Sequence, residues 1–479
     1  MIMNDRLMSA CRSADILYIY GAGTIADIFY ICLKQNRMEE KVQAFVVTKL
    51  EGNVPEKFGL RVMELEDRTE QLKKALVIVA VQEFVRQEIE NTLRALEIQD
   101  YYCVDAAKLL DGFYKELYQE PVDDSKILLQ NQFGRGYGGN PKYIAQKLLE
   151  LDIEQKLTLV WAVAYYRENF PKRIRQVIFG SEEYYRELAT AKVWIDNCRK
   201  GASVRKREGQ FYVQAWHGAA PVKRVEGDVQ DRLPPYYIEG ARNDSEMADV
   251  FLSGSEFYSR LYRTSFWYEG LILKYGLPRH DIFWKTEGIR EKIRGFYRIG
   301  REKSIVLYAP TFRDYEYEGC YDLDVGGVVH ALEERFHSPF QMLVSRHPVS
   351  YQEYSFPEDA EYLSVGDYDD FQELLAAADV LITDYSGCMY DFSYTGRPVF
   401  LYQKDYKEYL EDRNFYVSMD RLPYMKAHTN DELVQAVKDF NGEKYAARLE
   451  EFMSSMGNYD RGDASEKVAG YLREHVLDF

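Results

Sequence analysis

Several strings in this sequence attach proton-handling or anion-holding side chains to the ends of apolar runs. Trp216-His217-Gly218 closes the run Phe211-Tyr212-Val213-Gln214-Ala215. Imidazole is the side chain best poised to take a hydroxyl proton near neutral pH, and the following glycine lets a substrate approach the backbone. Pro221-Val222-Lys223-Arg224 adds positive charge nearby. Arg346-His347-Pro348 follows Gln341-Met342-Leu343-Val344-Ser345. Arginine can grip phosphate with two parallel hydrogen bonds, and His347 can donate to a phosphoryl oxygen or a leaving group. Pro310-Thr311-Phe312-Arg313 follows the apolar run 305–309, and Lys274-Tyr275-Gly276-Leu277-Pro278-Arg279-His280-Asp281 closes the middle of the chain. The strongest local signal is Asp379-Val380-Leu381-Ile382-Thr383-Asp384-Tyr385-Ser386-Gly387. Here a strand runs into hydroxyls and free N–H groups ahead of a helix, a setting that binds anions. Asp384 disfavours a bare phosphate and reads as a helix cap or a polyol contact. Each string alone also reads as ordinary structure: a bonded histidine, a proline-fixed turn, a cap. Polar clusters after four successive strands, flanking one cleft, point instead to a phosphorylated substrate and a proton transfer.

Alternation of apolar strands with helical stretches predicts an α/β protein built on parallel sheets. Residues 1–115 read as a small Rossmann-like accessory domain, with strands at 16–20, 44–47 and 76–81. Residues 116–145, with Gly134-Arg135-Gly136-Tyr137-Gly138-Gly139, read as a connecting segment. Strands are expected at 157–162, 175–179, 192–195, 211–216 and 250–252 in a half spanning 146–288. A second half, 289–479, has them at 305–309, 341–344, 380–383 and 398–401. Two consecutive α/β halves with a cleft between them suggest a GT-B-like pair of Rossmann-like domains, the acceptor on the first half and a nucleotide donor on the second. In the small domain, Gly21-x-Gly23-x-x-Ala26 sits where a dinucleotide fingerprint would lie. The acidic ribose ligand expected about 20 residues on is missing, so a tight strand–helix turn is preferred over nucleotide binding.

The chain has 479 residues, 40 of them Tyr, and a net charge of −17. That field repels nucleic acid, and an anionic donor needs a local cationic pocket. Six scattered Cys without a CxxC pair read as free thiols of a reducing compartment. The first residues carry no signal-peptide pattern, and the longest apolar runs are too short to span a bilayer. A cytoplasmic protein is expected. Arg199-Lys200 and Arg205-Lys206-Arg207 beside Trp194 form a basic stretch that could meet an anionic membrane surface. Asp322-Leu323-Asp324 matches a metal-binding DxD string but follows no apolar strand, so no metal role is assigned.

The ordered series of motifs resembles the CDP-glycerol glycerophosphotransferase family, the teichoic-acid polymerases and primases. It comprises Trp216-His217-Gly218 with Pro221 and Lys223, then 275–281, 307–313, 346–348, 381–386 and Arg397-Pro398-Val399-Phe400. The resemblance covers about residues 150–475 and implies a GT-B fold, CDP-glycerol as donor, a lipid-linked or polymeric acceptor, and no required cofactor. It further implies a peripheral position on the inner face of the cell membrane. His217 would be the catalytic base. His347 and the 383–386 loop would contact the donor phosphates, with Arg313, Arg346 and Thr311 beside them. Gly218, Lys223, Arg279 and Asp281 would serve the acceptor or support the site. Gly387 stands where relatives often carry a second Ser, and Gly218-Ala219-Ala220-Pro221 departs from their usual Gly-Thr-Pro. A CDP-ribitol transferase, a nucleotide-sugar glycosyltransferase and a non-catalytic CDP-alcohol-binding protein are the alternatives.

Overall fold

The computed structural model describes residues 5–50, 53–168, 170–218, 223–311, 322–345, 361–366, 368–412 and 415–479. Three sheets follow one another along the chain. The first holds β1 (Leu17–Tyr20), β2 (Val42–Val47), β3 (Glu56–Lys57), β4 (Leu60–Glu64), β5 (Leu76–Val79) and β6 (Tyr101–Cys103), in the order β3-β4-β2-β1-β5-β6. The second holds β7 (Asp123–Gln130), β8 (Thr158–Val163), β9 (Ile174–Ile178), β10 (Ala191–Asp196), β11 (Phe211–Gln214), β12 (Val250–Leu252) and β13 (Leu271–Leu273). Its order is β13-β12-β11-β10-β7-β8-β9. The third holds β14 (Ser304–Tyr308), β15 (Phe340–Val344), β16 (Tyr362–Ser364), β17 (Val380–Thr383), β18 (Val399–Tyr402) and β19 (Met425–Ala427), in the order β16-β15-β14-β17-β18-β19.

Every strand pair of the second and third sheets is parallel, as is every pair of the first except β3–β4. Parallel strands are covered by helices on both faces and so read as unbroken apolar runs. Val380–Thr383, Val399–Tyr402 and Leu76–Val79 are buried at every position. Many of the tyrosines serve as core: Tyr212, Tyr262, Tyr268 and Tyr385 are almost fully buried.

The reading of 116–145 as a connecting segment is corrected. β7 pairs with both β10 and β8 in the interior of the second sheet. Its first half, Asp123-Asp124-Ser125-Lys126, is polar and partly exposed, which hid the strand; its second half, 127–130, is buried. The glycine string after it is the strand-end loop that leads into the helix Gly139–Leu151.

The second and third sheets face each other across a cleft, the GT-B-like arrangement. The contacts that join them include two buried clusters. Lys142, buried on the helix Gly139–Leu151, reaches Asp370 Oδ2 at 2.6 Å and Glu373 Oε1 at 2.7 Å. His280 lies between Asp391 Oδ1, 2.9 Å from its Nε2, and Asp460 Oδ1, 3.1 Å from its Nδ1. The two carboxylates outweigh the burial that would keep this imidazole neutral and raise its pKa to about 9. The final helix, Ala464–His475, packs against Gly139–Leu151.

The first sheet's helices share a core with the second sheet. The proposed membrane-facing basic stretch lies at this junction, and that reading is corrected. Arg199 and Lys200 are buried and paired with Asp244 and Asp196. Arg205 pairs with Asp111 and Lys206 with Asp249, while Arg207 donates to the Glu120 carbonyl. Trp194 is buried, its indole N–H donating to the Leu188 carbonyl. Arg199, Lys200 and Trp194 are thus core, and Arg205, Lys206 and Arg207 are engaged by the protein itself.

Candidate functional site

A cleft of about 760 Å³ opens between the second and third sheets. It is lined by strand-end loops, where parallel α/β sheets present ligand groups. From the second sheet come Asn131, Gln132 and Arg135 after β7, Tyr165 and Arg167 after β8, Asn197 after β10, and Trp216, His217 and Gly218 after β11. From the third come Ala309, Pro310 and Thr311 after β14, Ser345 after β15, and Tyr385, Ser386 and Gly387 after β17.

His217 is exposed to the cleft and positioned from behind. Trp216, which precedes it, is buried and adopts φ +37°, a rare conformation for a bulky residue that costs on the order of 1–3 kcal/mol. Three hydrogen bonds hold that turn. Trp216 N donates to Gln214 Oε1 at 2.9 Å, and Asn140 Nδ2 donates to the carbonyls of Ala215 at 2.6 Å and Trp216 at 2.8 Å. Arg279, itself buried, donates through one guanidinium nitrogen to the His217 carbonyl at 2.5 Å and through another to Asp391 at 3.1 Å. The imidazole Nδ1 lies 2.9 Å from the Asn197 carbonyl. A carbonyl only accepts, so Nδ1 carries the proton and Nε2 keeps a free lone pair. Crowding by the cleft walls lowers the His217 pKa below its usual 6.5, and Arg279 and Arg199 add to that effect against the Asn197 bond. The ring is thus neutral near pH 7 and able to accept a proton.

On the facing wall, Thr311 is fixed by Asp384. The carboxylate accepts from the Thr311 backbone N–H at 2.9 Å and from its hydroxyl at 2.5 Å. Asp384 is buried and, like Thr383, does not line the cleft; Thr383 donates to the Ala309 carbonyl at 2.6 Å. The expectation that both touch the donor is corrected: they hold the loops that carry Thr311 and Ser386. Ser386 and Gly387 are half-buried and exposed at the cleft surface. Arg313, Arg346 and His347, as well as Pro221, lie outside the described residues.

Of the residues expected to serve the acceptor, Gly218, Lys223 and Arg279 line the cleft. Asp281 does not. It accepts from the backbone N–H of Ala464 and Ser465 at 3.0 and 2.7 Å and so caps the final helix. Gly21 and Gly23 lie in the turn that follows β1 of the first sheet and do not line the cleft. A Cβ on Gly21 would stand 2.6 Å from the Ala80 carbonyl oxygen, and Lys57 donates to the Ala22 carbonyl at 2.5 Å while pairing with Asp27. Asp324 caps the helix Val325–Phe336 and Asp322 accepts from Tyr402 at 3.0 Å.

Sequence reasoning missed Asn140, Asn197, Arg135, Gln372 and Asp391. The glycine string 134–139 was visible and misplaced. The asparagines and Asp391 carried no local signal, because their roles exist only where distant segments meet.

The chain is similar to characterised teichoic-acid enzymes. The teichoic acid poly(glycerol phosphate) polymerase of Staphylococcus epidermidis is 24% identical over 493 residues, covering 94% of this chain and 68% of that protein. The teichoic acid glycerol-phosphate transferase of Staphylococcus aureus is 26% identical over 397 residues, covering 79% and 98%. The solved structure of the wall teichoic acid polymerase TagF superposes with a TM-score of 0.67 at 23% identity, over 82% of this chain and 98% of that one, which shows a shared fold. A family model described as CDP-Glycerol:Poly(glycerophosphate) glycerophosphotransferase matches residues 113–474, three-quarters of the chain, and the protein belongs to that family of transferases.

Proposed function

We propose that this cleft transfers glycerol phosphate from CDP-glycerol to a hydroxyl of a lipid-linked or polymeric glycerophosphate acceptor in teichoic-acid-like synthesis. The observation that carries the reading is the His217 imidazole, Nδ1 bound to the Asn197 carbonyl and Nε2 free, opposite a wall of Thr311 and Ser386. The acceptor hydroxyl oxygen attacks the β-phosphorus of the donor. Its proton passes to His217 Nε2, the bond from that phosphorus to the bridging oxygen breaks, and CMP leaves. Positioning and charge stabilisation supply most of the catalysis in such transfers. Thr311, Ser386 and Gly387 hold the donor side, with Arg313, Arg346 and His347 assigned to the pyrophosphate by the family pattern. The reading uses no cofactor.

A lipid-linked acceptor is presented at a membrane, so the reading includes a peripheral position on the inner face of the cell membrane. Phe133 and Tyr166, exposed at the ends of β7 and β8, are aromatic side chains of the kind that settle at lipid headgroups. Unchanged liposome binding after changing both to Ser would count against that part.

The test is CMP release from CDP-glycerol, CDP-ribitol and a panel of nucleotide sugars, with a glycerophosphate acceptor present. Acceptor-dependent CMP from CDP-glycerol is expected. CMP from CDP-ribitol alone would keep the mechanism and change the donor. UDP or GDP release without CMP would overturn the reading.

A further inference from the structure

We infer that Arg135 receives the terminal phosphate of the acceptor chain, on the second-sheet wall of the cleft, and so sets the acceptor hydroxyl against His217. The inference rests on the transfer reading above and adds the acceptor subsite to it.

The loop 134–139 has two side chains, Arg135 and Tyr137. Tyr137 turns inward, its ring 4.8 Å from that of Trp161 and 5.0 Å from that of Phe170. Arg135 is exposed and lines the cleft. The glycines are required by packing from both sides. Gly134 has φ +89°, and a Cβ there would stand 2.5 Å from the Ala164 backbone nitrogen in its own half. Gly136 has φ +111°, and a Cβ there would stand 2.8 Å from Asp369 Oδ1 in the facing half. A loop pinned against both halves gives a long side chain a fixed root, and this one delivers a single guanidinium.

That guanidinium differs from the other cations of the same wall. Arg167 pairs with Asp369, Arg279 with Asp391, and Lys223 stands over the Tyr409 ring. Arg135 has no carboxylate partner among the described residues. In a chain of net charge −17, an unmatched arginine in a substrate cleft is a receptor for an anion. Its charge reaches the floor of the site. Burial, then Asp196 and Asp244, push the Cys198 thiol pKa well up, and Arg135 opposes them; the Cys198 sulfur is 4.0 Å from His217 Nδ1. Gln132 and Gly139, at the start of the helix Gly139–Leu151, line the same wall and offer further donors. A glycerol phosphate chain carries one phosphate per unit. A cation on the same wall as the base therefore fixes which hydroxyl is presented.

The experiment compares wild type, Arg135→Gln and Arg135→Lys by calorimetric binding of a synthetic tri(glycerol phosphate) and by steady-state CMP release. Arg135→Gln should weaken trimer binding and raise the acceptor KM about tenfold or more, with the CDP-glycerol KM unchanged and Arg135→Lys intermediate. A phosphate-free glycerol-ended acceptor should not distinguish the variants. Equal trimer binding by wild type and Arg135→Gln, absence of trimer binding by wild type, or a rise confined to the CDP-glycerol KM would each overturn the inference. Arg135-dependent trimer binding without CMP release would sink the transfer reading and leave the anion subsite standing.

Discussion

His217 Nδ1 and the Asn197 carbonyl oxygen are 2.9 Å apart, and this contact fixes which face of the imidazole does chemistry. Replacing His217 by Ala should lower turnover by about 10²–10⁴-fold while leaving CDP-glycerol affinity within a few-fold of wild type. The base works when neutral, and its pKa lies below 6.5. The kcat/KM profile of wild type should therefore be flat at neutral pH and fall on the acid side, below pH 6.5. Full activity in His217→Ala, or a profile with its acid limb above pH 7, would remove His217 from this role.

Asn140 does not touch the imidazole, yet it holds the turn that aims it. Its amide nitrogen donates to two carbonyls, and its oxygen accepts from the Arg279 backbone N–H at 3.1 Å. Asn140→Ala leaves those buried groups unmatched, at about 1–3 kcal/mol each. The relaxed turn should cost roughly 10²-fold in kcat with donor affinity little changed. Pre-steady-state transfer and equilibrium donor binding separate the two effects. A loss confined to donor affinity would show that the turn serves binding instead.

His280 makes the seam between the halves sensitive to alkaline pH. Its folded pKa of about 9 exceeds the usual 6.5, so the stability it adds is complete below pH 6.5 and is lost as pH rises through 9. The melting temperature of wild type should exceed that of His280→Asn by the most near pH 6. The gap should shrink steadily towards pH 9.5. A gap independent of pH would mean the imidazole is not charged in the folded protein.

Arg205 and Arg207 fasten the first sheet's domain to the second, and Lys206 pairs with Asp249 within the second. Changing all three to Gln should lower stability by about 1–2 kcal/mol, since such half-exposed pairs contribute little individually. Binding to anionic liposomes should be unchanged. A large drop in liposome binding at constant melting temperature would restore these residues to the lipid surface.

Much of this architecture was legible because buried parallel strands are unbroken apolar runs, and strings such as 380–383 and 250–252 were visible as such. Short edge strands were not: Leu271–Leu273, Tyr362–Ser364 and Met425–Ala427 are three residues each and partly exposed. β7 was missed because its polar start resembles a linker. In the site, His217, Thr311 and Ser386 were legible because each follows an apolar run. Thr383 and Asp384 share that position, yet their side chains face inward and bond to Ala309 and Thr311. Local spacing marks a strand end but does not say which of four consecutive side chains faces the cleft. Asp281 was misjudged because the helix it caps begins 183 residues later.

A chain of buried polar contacts runs through the seam between the halves. Lys142 meets Asp370 and Glu373; Gln372, next in sequence, donates to Asp391; Asp391 meets Arg279 and His280; His280 meets Asp460. Pulling any of these apart strands a bare charge away from water, which costs several kcal/mol. Sliding and separation of the two sheets are thereby penalised. His217 is tied to the same row through Arg279, so the aim of the base and the fit of the halves share one set of bonds. Loss of a single member therefore loosens the seam and the catalytic turn together.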